Sequence, residues 1–223
     1  MLRPVEFFPG NFYHIYNRGI DKRVIFNTDH DKARFQDLLY LANGSKHIVY
    51  RLIQGDSLDK ERGEPTTALI AYALMTNHFH IIAKETVSGG ITSFMKKLST
   101  SYSMYFNIKN DRTGALVGRP FKAKHIDNDD YFCWVMSYVH LNPLDIVEPG
   151  WKERKARIES GTATSFLKSY RFSSYLDYFG PERRENKIVD KSALPIDIKD
   201  IEDFDTMLAE FTNPYERPDI EIW

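Results

Sequence analysis

Residues 68–84 of the chain read ALIAYALMTNHFHIIAK, and the organisation of the fold can be worked out from this stretch. Two apolar runs, residues 68–75 and 78–84, are separated by Thr76-Asn77, a pair typical of a short turn. Both runs have the length of ordinary strands. We therefore predict two antiparallel strands joined as a hairpin.

The segments before the hairpin predict a strand and a helix. Residues 12–18 are rich in aromatic and β-branched side chains and end at Gly19, which indicates a first strand. Residues 29–42 carry acids in their first turn and apolar side chains among charges, a pattern typical of a helix. Residues 47–53 resemble a further strand, and the charged residues 55–66 predict an exposed insertion loop.

The segments after the hairpin predict two more helices around a short strand. Residues 91–108 have apolar side chains at the spacing of a long amphipathic helix, and residues 119–126 indicate a short basic strand. Residues 130–142 predict another helix, which Pro143 ends because the residue before a proline disfavours helical geometry. The order of elements predicts an α+β fold, a ferredoxin-like antiparallel sheet with helices packed on one face.

Composition restricts the possible classes of protein. The 223 residues, 42% hydrophobic and 27% charged, predict a globular domain over residues 1–180 and an acidic appendage over 181–223, with a short helix near residues 203–211. The single cysteine excludes an intrachain disulfide and a thiolate metal site. With no signal-like or membrane-length apolar run, we expect a cytoplasmic protein with no membrane partner. The net charge of −1 means that any DNA binding must rest on a local basic face.

The strand after the turn carries a possible metal site. His78 and His80 stand at i and i+2, so their imidazoles project from the same face of the strand. Two neutral imidazoles can hold a divalent cation if a third ligand comes from elsewhere. A hydrogen-bonded structural pair is the more common explanation of this pattern when it is taken alone.

The helix at residues 130–142 carries a possible nucleophile. Tyr138 and Asn142 stand at i and i+4 and therefore share a face, whereas His140 points away. A phenol oxygen can attack phosphorus, and an amide oxygen can act as a hard metal ligand. The alternative is that Tyr138 packs the helix onto the sheet and Asn142 caps it.

Basic and polar side chains near these segments could follow a phosphate backbone. They fall in three places: the segment that leads into the tyrosine helix, the end of the first strand, and the long helix. The alternative is an ordinary solvated surface. The candidates for DNA contact are Asn17, Arg18, Lys96, Lys97, Arg119, Lys122 and Lys124.

Five stretches in the same order resemble REP-associated tyrosine transposases, which are HUH-type single-stranded DNA transposases. They are residues 13–19 (YHIYNRG), 75–82 (MTNHFHII), 118–122 (GRPFK), 138–143 (YVHLNP) and 171–175 (RFSSY). The resemblance implies that His78, His80 and Asn142 hold Mg²⁺ or Mn²⁺. It also implies that Tyr138 attacks single-stranded DNA flanked by hairpins, leaving a 5′-phosphotyrosine, in a protein that works as a homodimer.

Two other functions remain open at this stage. One is a module that binds hairpin DNA or RNA without cutting it. The other is a nucleotide hydrolase of the histidine-triad kind, which would need a third histidine two residues after His80. Ile82 occupies that position, which disfavours the hydrolase.

Overall fold

Four strands form a single antiparallel sheet in the computed structural model, which describes residues 5–47, 49–150, 160–195 and 206–207. The strands are β1 (Phe12–Arg18), β2 (Thr67–Leu74), β3 (His78–Glu85) and β4 (Lys122–Ile126), in the order β2-β3-β1-β4. A helix follows β1 and another follows β3, which gives the βαββαβ arrangement of a ferredoxin-like fold. The predicted α+β class with an antiparallel sheet is confirmed.

The predicted hairpin is formed by β2 and β3. Met75 N–H donates to the carbonyl of His78 over 2.8 Å, which closes the turn around Thr76-Asn77. A β-bulge between Leu69 and Ala71 shifts the register of the pair. Ile70 and Ala71 are therefore both buried on one side of the sheet. Leu69 and Tyr72 are buried on the other side, so β2 contributes apolar surface to both faces.

Helices cover both faces of the sheet. Helices α1 (Asp29–Ala42) and α2 (Gly90–Lys109) pack on one face, against side chains that include Phe79 and Ile81. Helix α3 (Asp129–Leu141) packs on the opposite face, against side chains that include Ile82. The prediction that helices share one face therefore holds for α1 and α2, whereas α3 lies across the sheet from them. The physical reason is that β2 is buried along its whole length, so its second face also needs a cover.

Local signals set the helix boundaries close to the predicted ones. The Thr28 side chain and Asp31 form a reciprocal capping box at the start of α1. The Asn128 side chain accepts from Tyr131 N–H at the start of α3. Helix α3 passes directly into a 3₁₀ turn, Asn142–Ile146, with Pro143 near its start.

The predicted strand at residues 47–53 is wrong. Within the described part of this segment, Tyr50–Leu52 form a 3₁₀ turn. Leu52 is 72% exposed, so this apolar side chain is not buried against the sheet. The turn packs instead against α1, where Tyr50 donates to Asp37 and the Arg34 guanidinium lies 3.4 Å from the Tyr50 ring centroid.

The chain continues to contact the core after residue 180. Helices α4 (Ser160–Ser169) and α5 (Tyr175–Phe179) are followed by Ile188 and Val189, which are buried with α1 and α2. Asp190 N–H donates to the Leu69 carbonyl over 2.7 Å. Apart from residues 206–207, the helix predicted near residues 203–211 lies outside the described residues. Among the helices that the structure describes, none combines the length and apolarity needed to cross a membrane.

Candidate active site between the third helix and the sheet

Strand β3 carries the two histidines predicted as metal ligands. Both rings lie on the α3 side of the sheet, with their centroids 5.1 Å apart, while Phe79 between them enters the core on the other side. His80 is buried, and His78 is partly exposed near the end of the strand. The period-two geometry of a strand therefore delivers both imidazoles to one surface, as predicted.

Helix α3 places Tyr138 directly above His80. The Tyr138 ring centroid lies 5.2 Å from that of His80, and Trp134 stacks on the tyrosine ring at 5.4 Å with an interplanar angle of 10°. Tyr138 is only 2% exposed. Burial raises the pKa of its phenol to about 12, and the negative charge of Asp145 adds to this effect.

Asn142 lies one helical turn after Tyr138, at the start of the 3₁₀ turn. Its backbone N–H donates to the Tyr138 carbonyl, and its side chain is fully buried. The Asn142 amide lies close enough to the Tyr138 hydroxyl to lower the pKa of that phenol, opposing the effect of burial. Neither polar atom of this amide makes a hydrogen bond of ordinary geometry within the described part of the chain. A buried polar group of this kind needs a partner, and a cation could be that partner.

His14 is a member of the site that the sequence analysis did not single out. It lies on β1, and its Nε2 is 3.0 Å from Nδ1 of His80. The ring is completely buried, and burial, assisted by the positive charge of Lys124, lowers the pKa of His14 to about 3. His14 is therefore neutral at physiological pH. Only the register of β1 against β3 brings the two histidines together, and no local motif encodes that register.

The donor set of the site is two imidazoles and one amide. Within residues 5–47, 49–150, 160–195 and 206–207, no three His, Cys, Asp or Glu side chains are grouped so that they could hold a metal. A cation at His78 and His80 would therefore need the Asn142 oxygen, together with oxygens from substrate or water. Of the two predicted cations, this donor set suits Mn²⁺ better, because Mg²⁺ usually relies on carboxylate ligands and Mn²⁺ accepts imidazole more readily.

Three of the basic candidates for DNA contact lie on the same face as Tyr138. Arg18 is paired opposite His78 in the register of β1 with β3. Lys122 and Lys124 of β4 are paired opposite Tyr16 and His14. Because directly opposed residues of an antiparallel pair project to the same side, these three cations border the histidines.

The structure separates the other candidates from this face. Asn17 projects to the opposite side, where its amide donates to the Gly118 carbonyl and accepts from Arg18 N–H, both over 2.9 Å. Its side chain therefore holds the loop before β4 in place. Lys96 and Lys97 lie on α2, across the sheet from Tyr138, and Lys97 donates to the Gly44 carbonyl. Arg119 is exposed in the loop before β4.

Comparison with known proteins shows a likeness to a solved structure. No protein-family model matches the chain, and no curated protein matches it. Among solved structures, the chain is similar to one described as a REP-associated tyrosine transposase bound to a REP hairpin. The TM-score is 0.51 at 14% sequence identity, and the match covers 86% of this chain and 95% of that one. At this level of identity the likeness shows the fold, so the chain shares the fold of a REP-associated tyrosine transposase.

Proposed function

We propose that the protein is a metal-dependent endonuclease and transposase that cuts single-stranded DNA next to hairpins through a tyrosine nucleophile. The observation that carries this proposal is that Tyr138 lies beside both His80 and Asn142. Tyr138 and Asn142 are one helical turn apart, whereas His80 comes from β3, a distant part of the chain. The shared fold with a REP-associated tyrosine transposase supports the same activity.

Each residue of the site has a proposed role. His78, His80 and Asn142 would hold Mg²⁺ or Mn²⁺, which when bound would polarise the scissile phosphate and stabilise its developing charge. The Tyr138 oxygen gives up its proton and forms a bond to phosphorus, while the bond from phosphorus to the 3′-oxygen breaks. The leaving oxygen takes up a proton and becomes a 3′-hydroxyl. The 5′-phosphotyrosine conserves the energy of the phosphodiester, so rejoining needs no nucleotide cofactor.

The substrate is proposed to run along the sheet face that carries the histidines. Arg18, Lys122 and Lys124 border this face and can pair with backbone phosphates of a single strand. Helix α3 presents one tyrosine, Tyr138, to the histidine pair, and moving a DNA element requires two cuts. We therefore propose that the protein works as a homodimer.

The burial of Tyr138 favours a second candidate function. A hydroxyl on a side chain that is 2% exposed, with a pKa raised to about 12, is a poorly prepared nucleophile. A protein that grips hairpin DNA or RNA without cutting it would keep the fold and the basic face, and its tyrosine could stay buried. Cleavage by this protein requires the Tyr138 oxygen to become accessible to a phosphate, whereas binding alone does not.

A covalent-adduct assay separates the two functions. The protein is mixed with labelled single-stranded DNA from the flanks of its own gene, with Mg²⁺ or Mn²⁺, and the products are separated on a denaturing gel. We expect a metal-dependent protein–DNA adduct that is absent in Tyr138→Phe and His80→Ala. Tyr131→Phe is the matched control, because Tyr131 is a buried tyrosine two turns earlier on the same helix. A gel shift on hairpin strands with no adduct would instead establish the binding module.

A further inference from the structure

His14 is a completely buried histidine whose only hydrogen bond among the described residues joins it to a proposed metal ligand. Its Nε2 lies 3.0 Å from Nδ1 of His80. Its other ring nitrogen, Nδ1, is buried without a hydrogen-bond partner in the described part of the chain. A buried polar ring with one nitrogen unsatisfied costs free energy, and an apolar side chain would fill this position at lower cost. The contact with His80 is therefore the feature of this position that calls for an explanation.

The contact with His14 determines which nitrogen of His80 can bind a cation. Because His14 engages Nδ1 of His80, the ligand atom has to be Nε2. A neutral imidazole that binds through Nε2 carries its proton on Nδ1. That proton is then donated to Nε2 of His14, which must be unprotonated in order to accept it. The proton of His14 therefore lies on its own Nδ1.

The packing around His14 and His80 restricts the movement of both rings. The His14 and His80 centroids are 5.1 Å apart with an interplanar angle of 23°, and Tyr138 contacts both rings edge-on. Strands β1 and β3 are paired along their whole length, which fixes the separation of the two backbones. His14 is thus held on the sheet itself, a rigid element, at the distance that a hydrogen bond to His80 requires.

We propose that His14 is a positioning residue, which accepts the Nδ1 proton of His80 and so fixes the tautomer and orientation in which His80 binds the cation. This inference rests on the proposed function, because it assigns a partner to one of the ligands of that site. Groups that orient a metal-bound histidine typically affect metal affinity by 10- to 100-fold, roughly, when they are removed.

The test is a direct measurement of Mn²⁺ affinity, with the full chain free of DNA, by the loss of the electron paramagnetic resonance signal of free Mn²⁺. Two amide variants form a matched pair. The side-chain amide of His14→Gln reaches the position of Nε2, whereas that of His14→Asn reaches only the position of Nδ1. We expect His14→Asn and His14→Leu to weaken Mn²⁺ binding roughly 10-fold or more, and His14→Gln to recover most of the affinity.

His140 provides a control for the effect of losing a buried histidine. It is as completely buried as His14, but its Nε2 is bonded to the Ser174 hydroxyl over 2.9 Å, and Ser174 is in turn bonded to the backbone of Tyr72 on β2. We expect His140→Gln to lower the thermal unfolding temperature and to leave Mn²⁺ affinity within twofold of the unmodified protein, roughly. The unfolding temperature of every variant is recorded, so that a fall in affinity is interpreted only for folded protein.

The outcomes distinguish a failure of this inference from a failure of the proposed function. If His80→Ala abolishes Mn²⁺ binding while His14→Asn and His14→Leu bind as tightly as the unmodified protein, the metal site stands and the role of His14 is refuted. If the unmodified protein binds no Mn²⁺ more tightly than His80→Ala does, the metal site itself is refuted, and with it the role of His14. Weak binding by His14→Asn with recovery in His14→Gln establishes the positioning role.

Discussion

Arg18 lies directly opposite His78 where β1 pairs with β3, at the end of the sheet where the proposed cation site opens towards solvent. Nε of the Arg18 guanidinium is buried and makes no hydrogen bond within the described residues. A planar, permanently charged donor beside a metal ligand is suited to hold a phosphate oxygen. We therefore propose that Arg18 on β1 donates to the scissile phosphate beside the proposed cation on β3.

Replacing Arg18 should therefore impair cleavage more than metal binding. We expect Arg18→Gln to slow single-turnover formation of the DNA adduct by roughly 100-fold, the usual cost of losing one donor to a developing oxyanion. Mn²⁺ affinity should be unchanged, because the guanidinium is not a ligand. The control is Arg23→Gln, which removes an arginine that is paired with Asp21 at the surface just after β1. Equal rates for the two variants would contradict a role for Arg18 at the phosphate.

The position of DNA on the sheet can be tested with two lysines on opposite faces. Lys124 lies on the tyrosine face, with its ammonium 5.3 Å from the centre of the Tyr131 ring, whereas Lys96 is exposed on α2 behind the sheet. If DNA runs over the tyrosine face, Lys124→Gln should lower the slope of log affinity against log salt concentration by about one, the share of one phosphate contact. Lys96→Gln should leave that slope unchanged. The opposite result would place the DNA on the surface of α1 and α2. Fluorescence anisotropy of a labelled hairpin strand at several salt concentrations provides the measurement.

Local sequence patterns predicted the elements and part of the site. Strand β1 and helix α1 have the predicted bounds because their signals are local: aromatic and β-branched side chains ending at Gly19, and acids in the first turn of a helix. The shared face of His78 and His80 follows from the two-residue period of a strand, and the proximity of Tyr138 and Asn142 follows from the period of a helix. Each of these inferences needs only the geometry of one element.

Contacts between separate strands and helices could not be predicted from local sequence patterns. The contact of His14 with His80 joins residues 66 positions apart and depends on the register of β1 with β3. The face on which α3 packs depends on β2 being buried on both of its sides. Asn17 looked suitable for DNA contact because it is polar and ends a strand. Its position in the register turns it towards the Gly118 carbonyl instead.

Asp31 links the two helices behind the sheet, and its loss should destabilise the fold. Its carboxylate accepts from Lys109 over 2.6 Å and from Tyr105 over 2.7 Å, both on α2, and from the backbone N–H groups of Asn27 and Thr28. Burial opposes the charged form, but the hydrogen bonds outweigh it, so the pKa of Asp31 is lowered. At pH 7 we expect Asp31→Asn to reduce the free energy of unfolding by about 2 to 4 kcal/mol, because a charged acceptor with several donors is lost.

The effect of Asp31→Asn should also depend on pH in a defined direction. A carboxyl whose pKa is lower in the folded state stabilises the fold above its ordinary pKa of 3.8, and that stabilisation is lost as the pH falls through the lowered folded value. The difference between the two proteins should therefore be constant from about pH 5 to 8 and shrink below about pH 4. Urea unfolding at a series of pH values measures this difference. Asp29→Asn is the control, because its contact with Lys32 is exposed and should contribute less than about 0.5 kcal/mol. A difference that grows on acidification would contradict the assignment.

The stacking of Trp134 on Tyr138 makes the opening of the site measurable. Both side chains are 2% exposed, so we expect Tyr138 to become accessible to a phosphate through a shift of α3 from the sheet. The chain has three tryptophans, and Trp151→Phe with Trp223→Phe leaves Trp134 as the single tryptophan, which can be excited apart from the tyrosines. We expect a cognate hairpin strand with Mn²⁺ to shift the Trp134 emission to longer wavelength and to increase its quenching by acrylamide, because the indole becomes hydrated.

A scrambled strand of equal length should change neither signal. If an adduct forms while the emission stays constant, the substrate reaches Tyr138 without displacement of α3. If the hairpin binds with no shift and no adduct forms, the buried tyrosine serves only to pack the helix.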